Sequence, residues 1–224
     1  MKKPVILFDI DHTLFDTDKL RNLSNKAILK ILKIKNNKID LFILVENEAV
    51  RKDKVFKPST FSEMVAKHFK KEKKTKEITK VFTDKSIFKA CLYPNTVSIL
   101  KRLSHQFRLG IFSKGHEPFQ RFKTEASKEL SALLDKNLIF IYRNKKKYIP
   151  NLLKRFKDNG LIIVDDSQET IRSFLKLNPK ILAIWIKRRK KYSADKESMK
   201  IRFKFPYVIN KLDQIFFYLN KRNV

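Results

Sequence analysis

The sequence predicts an α/β protein: a Rossmann-like, doubly wound parallel sheet with a small α-helical domain inserted after its first strand. Three observations carry that prediction. Short runs apolar on both faces recur along the chain. Stretches of helical period lie between them. The interval from about residue 17 to 90 holds helix-like stretches and no convincing buried strand. A run apolar on both faces suits a central strand covered by helices on both sides, and strand–helix alternation of this kind is the signature of a doubly wound sheet.

The first run, Pro4 to Phe8, ends in the acidic cluster Asp9-Ile10-Asp11. Further runs are Leu109 to Phe112, Leu138 to Tyr142, Leu161 to Val164 and Ile181 to Ile186. The helical faces between them are Val97, Leu100, Leu103 and Phe107, then Leu152, Leu153 and Phe156, then Ile171, Phe174, Leu175 and Leu177. In the inserted segment four helices are expected: Leu20 to Ile34, Ile39 to Val50, Phe61 to Phe69 with Ser59 or Thr60 as its cap, and Ile78 to Phe88. Pro94 opens the next helix at a tolerated position. The expected division is a core of residues 1–16 and 92–224 and a helical domain of residues 17–91.

The chain has 224 residues, 42% of them hydrophobic and 12% aromatic, enough to bury one good core with an accessory domain. Its net charge of +29 raises the question of a polyanionic partner. Lys far outnumbers Arg, only 3 Gly are present, and the Lys residues run along most of the chain. Arg is the usual choice for bidentate phosphate recognition. The composition therefore favours biased residue usage over a nucleic-acid surface. Cys91 is the single cysteine, which excludes an intramolecular disulfide and fits a reducing compartment. The apolar run after Lys2 and Lys3 is broken at Asp9, so it reads as neither a signal peptide nor a membrane span. The expected location is the cytoplasm, with no membrane partner. No feature of the sequence fixes an oligomeric state.

Ligands of open parallel sheets bind beyond the carboxyl ends of the strands. Three predicted strands end there in chemistry-bearing residues: Asp9 and Asp11, then Ser113-Lys114-Gly115, then Asp165-Asp166-Ser167. A basic cluster, Lys145 to Lys147, follows the strand between them. Clustered carboxylates suit a hard cation such as Mg²⁺. A carboxylate attacks phosphorus to give an aspartyl-phosphate, provided cations offset the charge of the phosphoryl group. A second carboxylate two residues along is placed to move protons.

These segments resemble the motifs of the haloacid dehalogenase (HAD) superfamily. ILFDIDHTLFDT is similar to its first motif, with Asp9, Asp11 and Thr13 as the Asp-x-Asp-x-Thr core; GIFSKG is similar to the second, KYIPNLLKRF to the third and LIIVDDSQETI to the fourth. The resemblance implies a Mg²⁺-dependent phosphatase acting on a small phosphorylated substrate, with the helical insertion as a cap. Asp9 would be nucleophile and metal ligand. Asp11 would be general acid/base, with its carbonyl on the metal, and Thr13 would shape the turn. Ser113, Lys114 and Gly115 would meet the phosphoryl group, Lys147 would neutralise charge, and Asp166 would complete the metal site with Asp165. Three departures stand out. Asp165 occupies a position where family members often have Gly. A further acid is common where this chain has Thr170, leaving Asp165 or Glu169 to fill the role. Lys146 competes with Lys147 for the third motif. The alternative is a nucleic-acid-associated protein, either a polynucleotide-end phosphatase or a non-catalytic polyanion binder.

Overall fold

The computed structural model describes residues 3–34, 39–158, 160–188 and 204–221; Lys2 and the parts of the expected core between 189 and 203 and beyond 221 lie outside them. Among the described residues, six strands form one sheet, all pairs parallel, in the order β3-β2-β1-β4-β5-β6. They are β1 (Val5–Phe8), β2 (Arg108–Lys114), β3 (Ile139–Tyr142), β4 (Leu161–Asp165), β5 (Leu182–Ile186) and β6 (Val208–Ile209). The order reverses at β1, which pairs with β2 on one side and β4 on the other. That is the doubly wound switch point, where a crevice opens at the carboxyl edge. The short edge strand β6 has no counterpart in the sequence reading; its two residues are too few to show a period.

Side-chain alternation along the strands divides the core between the two faces of the sheet. Ile6, Phe8, Ile111, Val164 and Ile184 pack into one cluster with α6 (Thr96–Ser104) and α8 (Lys128–Leu133). Val5, Leu7, Phe112, Ile163 and Ala183 pack into the other with α9 (Ile149–Arg155) and α10 (Gln168–Leu177). Trp185, buried in the second cluster, donates its indole N–H to the Asp166 carbonyl at 3.0 Å. Cys91 is fully buried.

Between β1 and α6 the described chain is helical: α1 (Thr17–Leu32), α2 (Ile39–Asp53), α3 (Pro58–His68), α4 (Thr75–Val81) and α5 (Lys85–Ala90). The expected fourth helix is thus two. Asp84 breaks it because its carboxylate accepts the Ser86 N–H and caps α5. Neither Ser59 nor Thr60 caps α3. Pro58 opens that helix after Lys57, and Thr60 Oγ1 donates to Asp53 instead. The chain leaves the sheet through Leu14–Asp16 and returns through Cys91–Tyr93. The two crossings are bonded side by side: Asp16 N–H to the Cys91 carbonyl at 2.8 Å and Tyr93 N–H to the Leu14 carbonyl at 3.0 Å. Leu20, Phe42, Phe61, Phe82 and Phe88 of the helical segment join the first core cluster.

Candidate active site

Asp9 leaves β1 at the centre of the carboxyl edge, where its N–H donates to the Val164 carbonyl of β4 at 2.9 Å. Asp165 ends β4 and Asp166 follows it. The three carboxylates are buried, and each offers an oxygen within 4.8 Å of the others. Lys145 lies between two of them, its ammonium donating to Asp9 Oδ1 and Asp165 Oδ2 at 2.6 Å each. It also reaches the Phe112 carbonyl at 3.4 Å. The Ser167 N–H holds the other oxygen of Asp165 at 2.8 Å.

Here the structure corrects the lysine expected from the sequence. Lys147 is exposed, and Lys146 is exposed and ion-paired with Glu169. Only Lys145 of the three turns inward. The cause is local. Residues 145–148 form one 3₁₀ turn, and Tyr142 and Tyr148 stack across it with ring centroids 3.7 Å apart. The first residue of the turn is the one that points into the cluster. Glu169 is exposed and paired with Lys146, and Thr170 is buried with its N–H on the Ser167 hydroxyl. Of Asp165, Glu169 and Thr170, Asp165 is the one whose side chain is grouped with Asp9 and Asp166.

Burial raises the Asp9 carboxyl; Lys145 pulls against it, Asp165 and Asp11 add to it, and the result is about 6. Burial works to lower Lys145, but Asp165 and Asp9 outweigh it and hold the ammonium well above the usual lysine range. Three buried carboxylates this close together are hard oxygen donors and fit a divalent cation such as Mg²⁺, which would be held by Asp9, Asp165 and Asp166.

Asp11 has different surroundings. It accepts from Thr17 Oγ1 at 2.6 Å, Gln120 Nε2 at 2.7 Å and Lys123 Nζ at 2.6 Å. Burial would raise its carboxyl, yet Lys123, then Gln120 and Thr17, outweigh that and hold it well below the usual carboxylate range. Gln120 and Lys123 lie on α7 (Glu117–Glu125), and the sequence reading missed both. A signal was present: Lys123 sits four residues after Phe119, on the helix face that turns inward. Thr13 closes a turn through its N–H to the Ile10 carbonyl. Ser113, next to last in β2, is fully buried, and its hydroxyl finds no partner. Lys114 is exposed at the strand end, and the Gly115 N–H donates to the Tyr142 carbonyl. Two cavities meet at Asp11, Lys54 and Lys114. One is an open cleft of about 790 Å³ lined by Asp9, Lys145, Asp165 and Asp166. The other, of about 280 Å³, lies between α7 and the helical segment.

No family profile and no curated protein matches this chain by sequence. Solved structures do match it along nearly its whole length. A protein named as a haloacid dehalogenase-like hydrolase, from Burkholderia xenovorans LB400, superposes at a TM-score of 0.74 with 14% identity, covering 96% of this chain and 98% of that one. The chain has the haloacid dehalogenase-like fold. The HAD-hydrolase YfnB of Bacillus subtilis, solved bound to magnesium, matches at 0.67 with 18% identity, over 98% of this chain and 100% of its own. The defluorinating L-2-haloacid dehalogenase Rha0230 matches at 0.66 with 8% identity, over 98% and 99%. The HAD-like fold thus spans the sheet and the inserted helices together. Among the described residues, no helix is long and apolar enough to cross a membrane.

Proposed function

We propose that this protein is a Mg²⁺-dependent phosphomonoester hydrolase that acts on a small phosphorylated metabolite through a phosphoryl group carried on Asp9. The observation that carries the reading is the buried cluster in which Lys145 bridges Asp9 and Asp165 beside Asp166. A divalent cation there would offset the charge of the phosphoryl oxygens. Every other part of the chemistry falls to side chains of this chain.

In the first step a carboxylate oxygen of Asp9 bonds to phosphorus and the ester P–O bond breaks, its electron pair leaving with the alcohol oxygen. Lys145 keeps Asp9 ionised and oriented. Ser113, buried without a partner, supplies a hydroxyl for a phosphoryl oxygen. Lys114 at the cleft edge adds a cation. In the second step water attacks phosphorus, inorganic phosphate departs and the Asp9 carboxylate is restored. Asp11, ionised between Lys123, Gln120 and Thr17, is in the state needed to take the proton of that water. Its acid role in the first step requires Lys123 to let go, since that contact opposes a proton on Asp11.

Dehalogenases share the fold, so the acid at position 11 is the feature that favours ester hydrolysis here. The test is turnover of p-nitrophenyl phosphate and a panel of phosphorylated metabolites, with Mg²⁺ and with chelator. Turnover should need Mg²⁺ and fall at least about a thousandfold in Asp9→Asn. Equal turnover in that variant, or halide release from a 2-haloacid with no phosphate release, would remove the reading. A second reading, a polynucleotide-end phosphatase, is favoured by the exposed Lys54, Lys114 and Arg143 around the cleft. It requires tight, steeply salt-dependent binding of 5′-phosphorylated oligonucleotides.

A further inference from the structure

The chain holds one tryptophan, and its indole N–H donates to the Asp166 carbonyl beside the carboxylate cluster. Trp185 lies on β5, in register with Asp165 of β4 on one side and Val208 of β6 on the other. Its backbone N–H donates to the Tyr207 carbonyl at 3.0 Å, and its ring meets that of Phe205 with centroids 5.0 Å apart. The ring is buried in the core cluster that includes Ile171 and Phe174 of α10. Strand pairing and packing thus fix where the indole N–H points. A buried tryptophan normally finds a partner for that group; what matters here is which carbonyl it has found.

That carbonyl belongs to the peptide joining Asp166 to Ser167. The N–H at the other end of the same peptide donates to Oδ1 of Asp165 at 2.8 Å. A peptide unit is planar, so its C=O and N–H turn together. Trp185 at one end and the Asp165 carboxylate at the other therefore pin a single plane. The Cα of Asp166, from which the next carboxylate branches, lies in that plane. A rotation of the plane would release Asp165 Oδ1 and swing the Asp166 side chain in one movement. Lys145 holds the other oxygen of Asp165 and does not replace this bond. One indole N–H on a neighbouring strand thus bears on two of the three buried carboxylates that lie within 4.8 Å of one another.

We propose that Trp185 is a positioning residue of the carboxylate cluster: its indole N–H, acting through the Asp166–Ser167 peptide, holds Asp165 and Asp166 in the arrangement that binds a divalent cation. The inference rests on the reading of this cluster as a Mg²⁺ site and adds a residue that would touch neither cation nor substrate. Groups behind the ligands of a metal orient them, and losing one typically lowers metal affinity about 10–100-fold. A role confined to filling the core between β5, α10 and Phe205 would need the ring and not the N–H. The two roles therefore part on a change that removes the N–H and keeps an aromatic ring.

The experiment measures Mg²⁺ binding itself, on the full chain and without substrate. Calorimetry titrates Mg²⁺ into the wild type, Trp185→Phe and Phe156→Leu. The last thins the same core cluster where Phe156 packs on Phe140 of β3, at the other side of the sheet, and so controls for loosened packing. Trp185→Phe should bind Mg²⁺ about tenfold or more weakly, and Phe156→Leu within about twofold of the wild type. A single tryptophan also gives a single indole peak in a proton–nitrogen correlation spectrum. In the wild type that peak should move with added Mg²⁺ and saturate at the calorimetric dissociation constant; this readout decides alone if Trp185→Phe fails to fold. Unchanged affinity in Trp185→Phe, an equal loss in both variants, or an indole peak that stays still while calorimetry records binding overturns the inference and leaves the Mg²⁺ site standing. No Mg²⁺ binding by the wild type overturns both.

Discussion

Lys145 holds its place by being the first residue of a clamped turn. Its ammonium is ion-paired with the buried carboxylates of both Asp9 and Asp165. Removing one partner of a buried charge pair leaves the other uncompensated, at about 3–5 kcal/mol. Lys145→Met should therefore lower stability by about 3 kcal/mol in urea melts and cut turnover at least about a hundredfold. Lys147→Met, at an exposed position, should change stability by less than about 0.5 kcal/mol and leave turnover near the wild-type value. Three identical side chains in a row carry no information on which one turns inward; that depends on where the 3₁₀ turn of residues 145–148 begins after β3. A second residue-scale test concerns Gly115. A Cβ there would lie 2.5 Å from Nε2 of Gln120, the atom that bonds Asp11. Gly115→Ala should displace Gln120, lowering turnover about tenfold or more while the melting temperature moves by only a few degrees.

At the scale of elements, β2 is fitted closely between its neighbours. A Cβ on Gly110 would stand 2.4 Å from the Leu138 carbonyl oxygen and 2.8 Å from Leu7 Cδ2. Backbone cannot step aside as a side-chain end does, so Gly110→Ala should destabilise by about 1–3 kcal/mol in thermal or urea unfolding. The start of β2 is tied to the turn before β3 by Arg108, which donates to Asp135 Oδ2 from Nε at 3.0 Å and Nη2 at 2.7 Å. That bond, with lesser help from the Asn137 N–H, holds the Asp135 carboxyl below its ordinary value of 3.8. A carboxyl depressed in the folded state adds stability above its unfolded value and loses it as pH falls through the folded one. The stability gap between wild type and Asp135→Asn, about 0.5–1 kcal/mol at pH 7, should accordingly close as pH falls below about 3.8. Five of the six strands were legible in the sequence because a buried parallel strand is apolar on both faces. The fourth inserted helix was misread because Asp84 interrupts an apolar spacing that otherwise continues from Ile78 to Phe88.

Across the whole molecule, the carboxylate cluster was readable because each acid stands at the end of an apolar run, and parallel strands bring those ends to one edge. The smaller cavity was not readable. Its walls come from α1, α2, α3, the chain at Val55–Phe56 and Phe82, and α7, so no single stretch of sequence describes it. The grip of Lys123 on Asp11 was hidden in the same way, since it joins residues 112 positions apart. The broad positive charge finds one local expression in Lys54, Lys114 and Arg143 at the cleft, where an anionic ester would approach. The account stands on Asp9 as the group that bonds phosphorus. Its most direct test is to mix the protein with Mg²⁺ and a turned-over phosphate ester, quench rapidly in acid, and locate the phosphoryl group by peptide mass mapping. The account predicts phosphate on the peptide carrying Asp9, absent without Mg²⁺ and absent in Asp9→Asn. Turnover with no phosphoryl-protein at any quench time, or with the phosphoryl group on another residue, would contradict it.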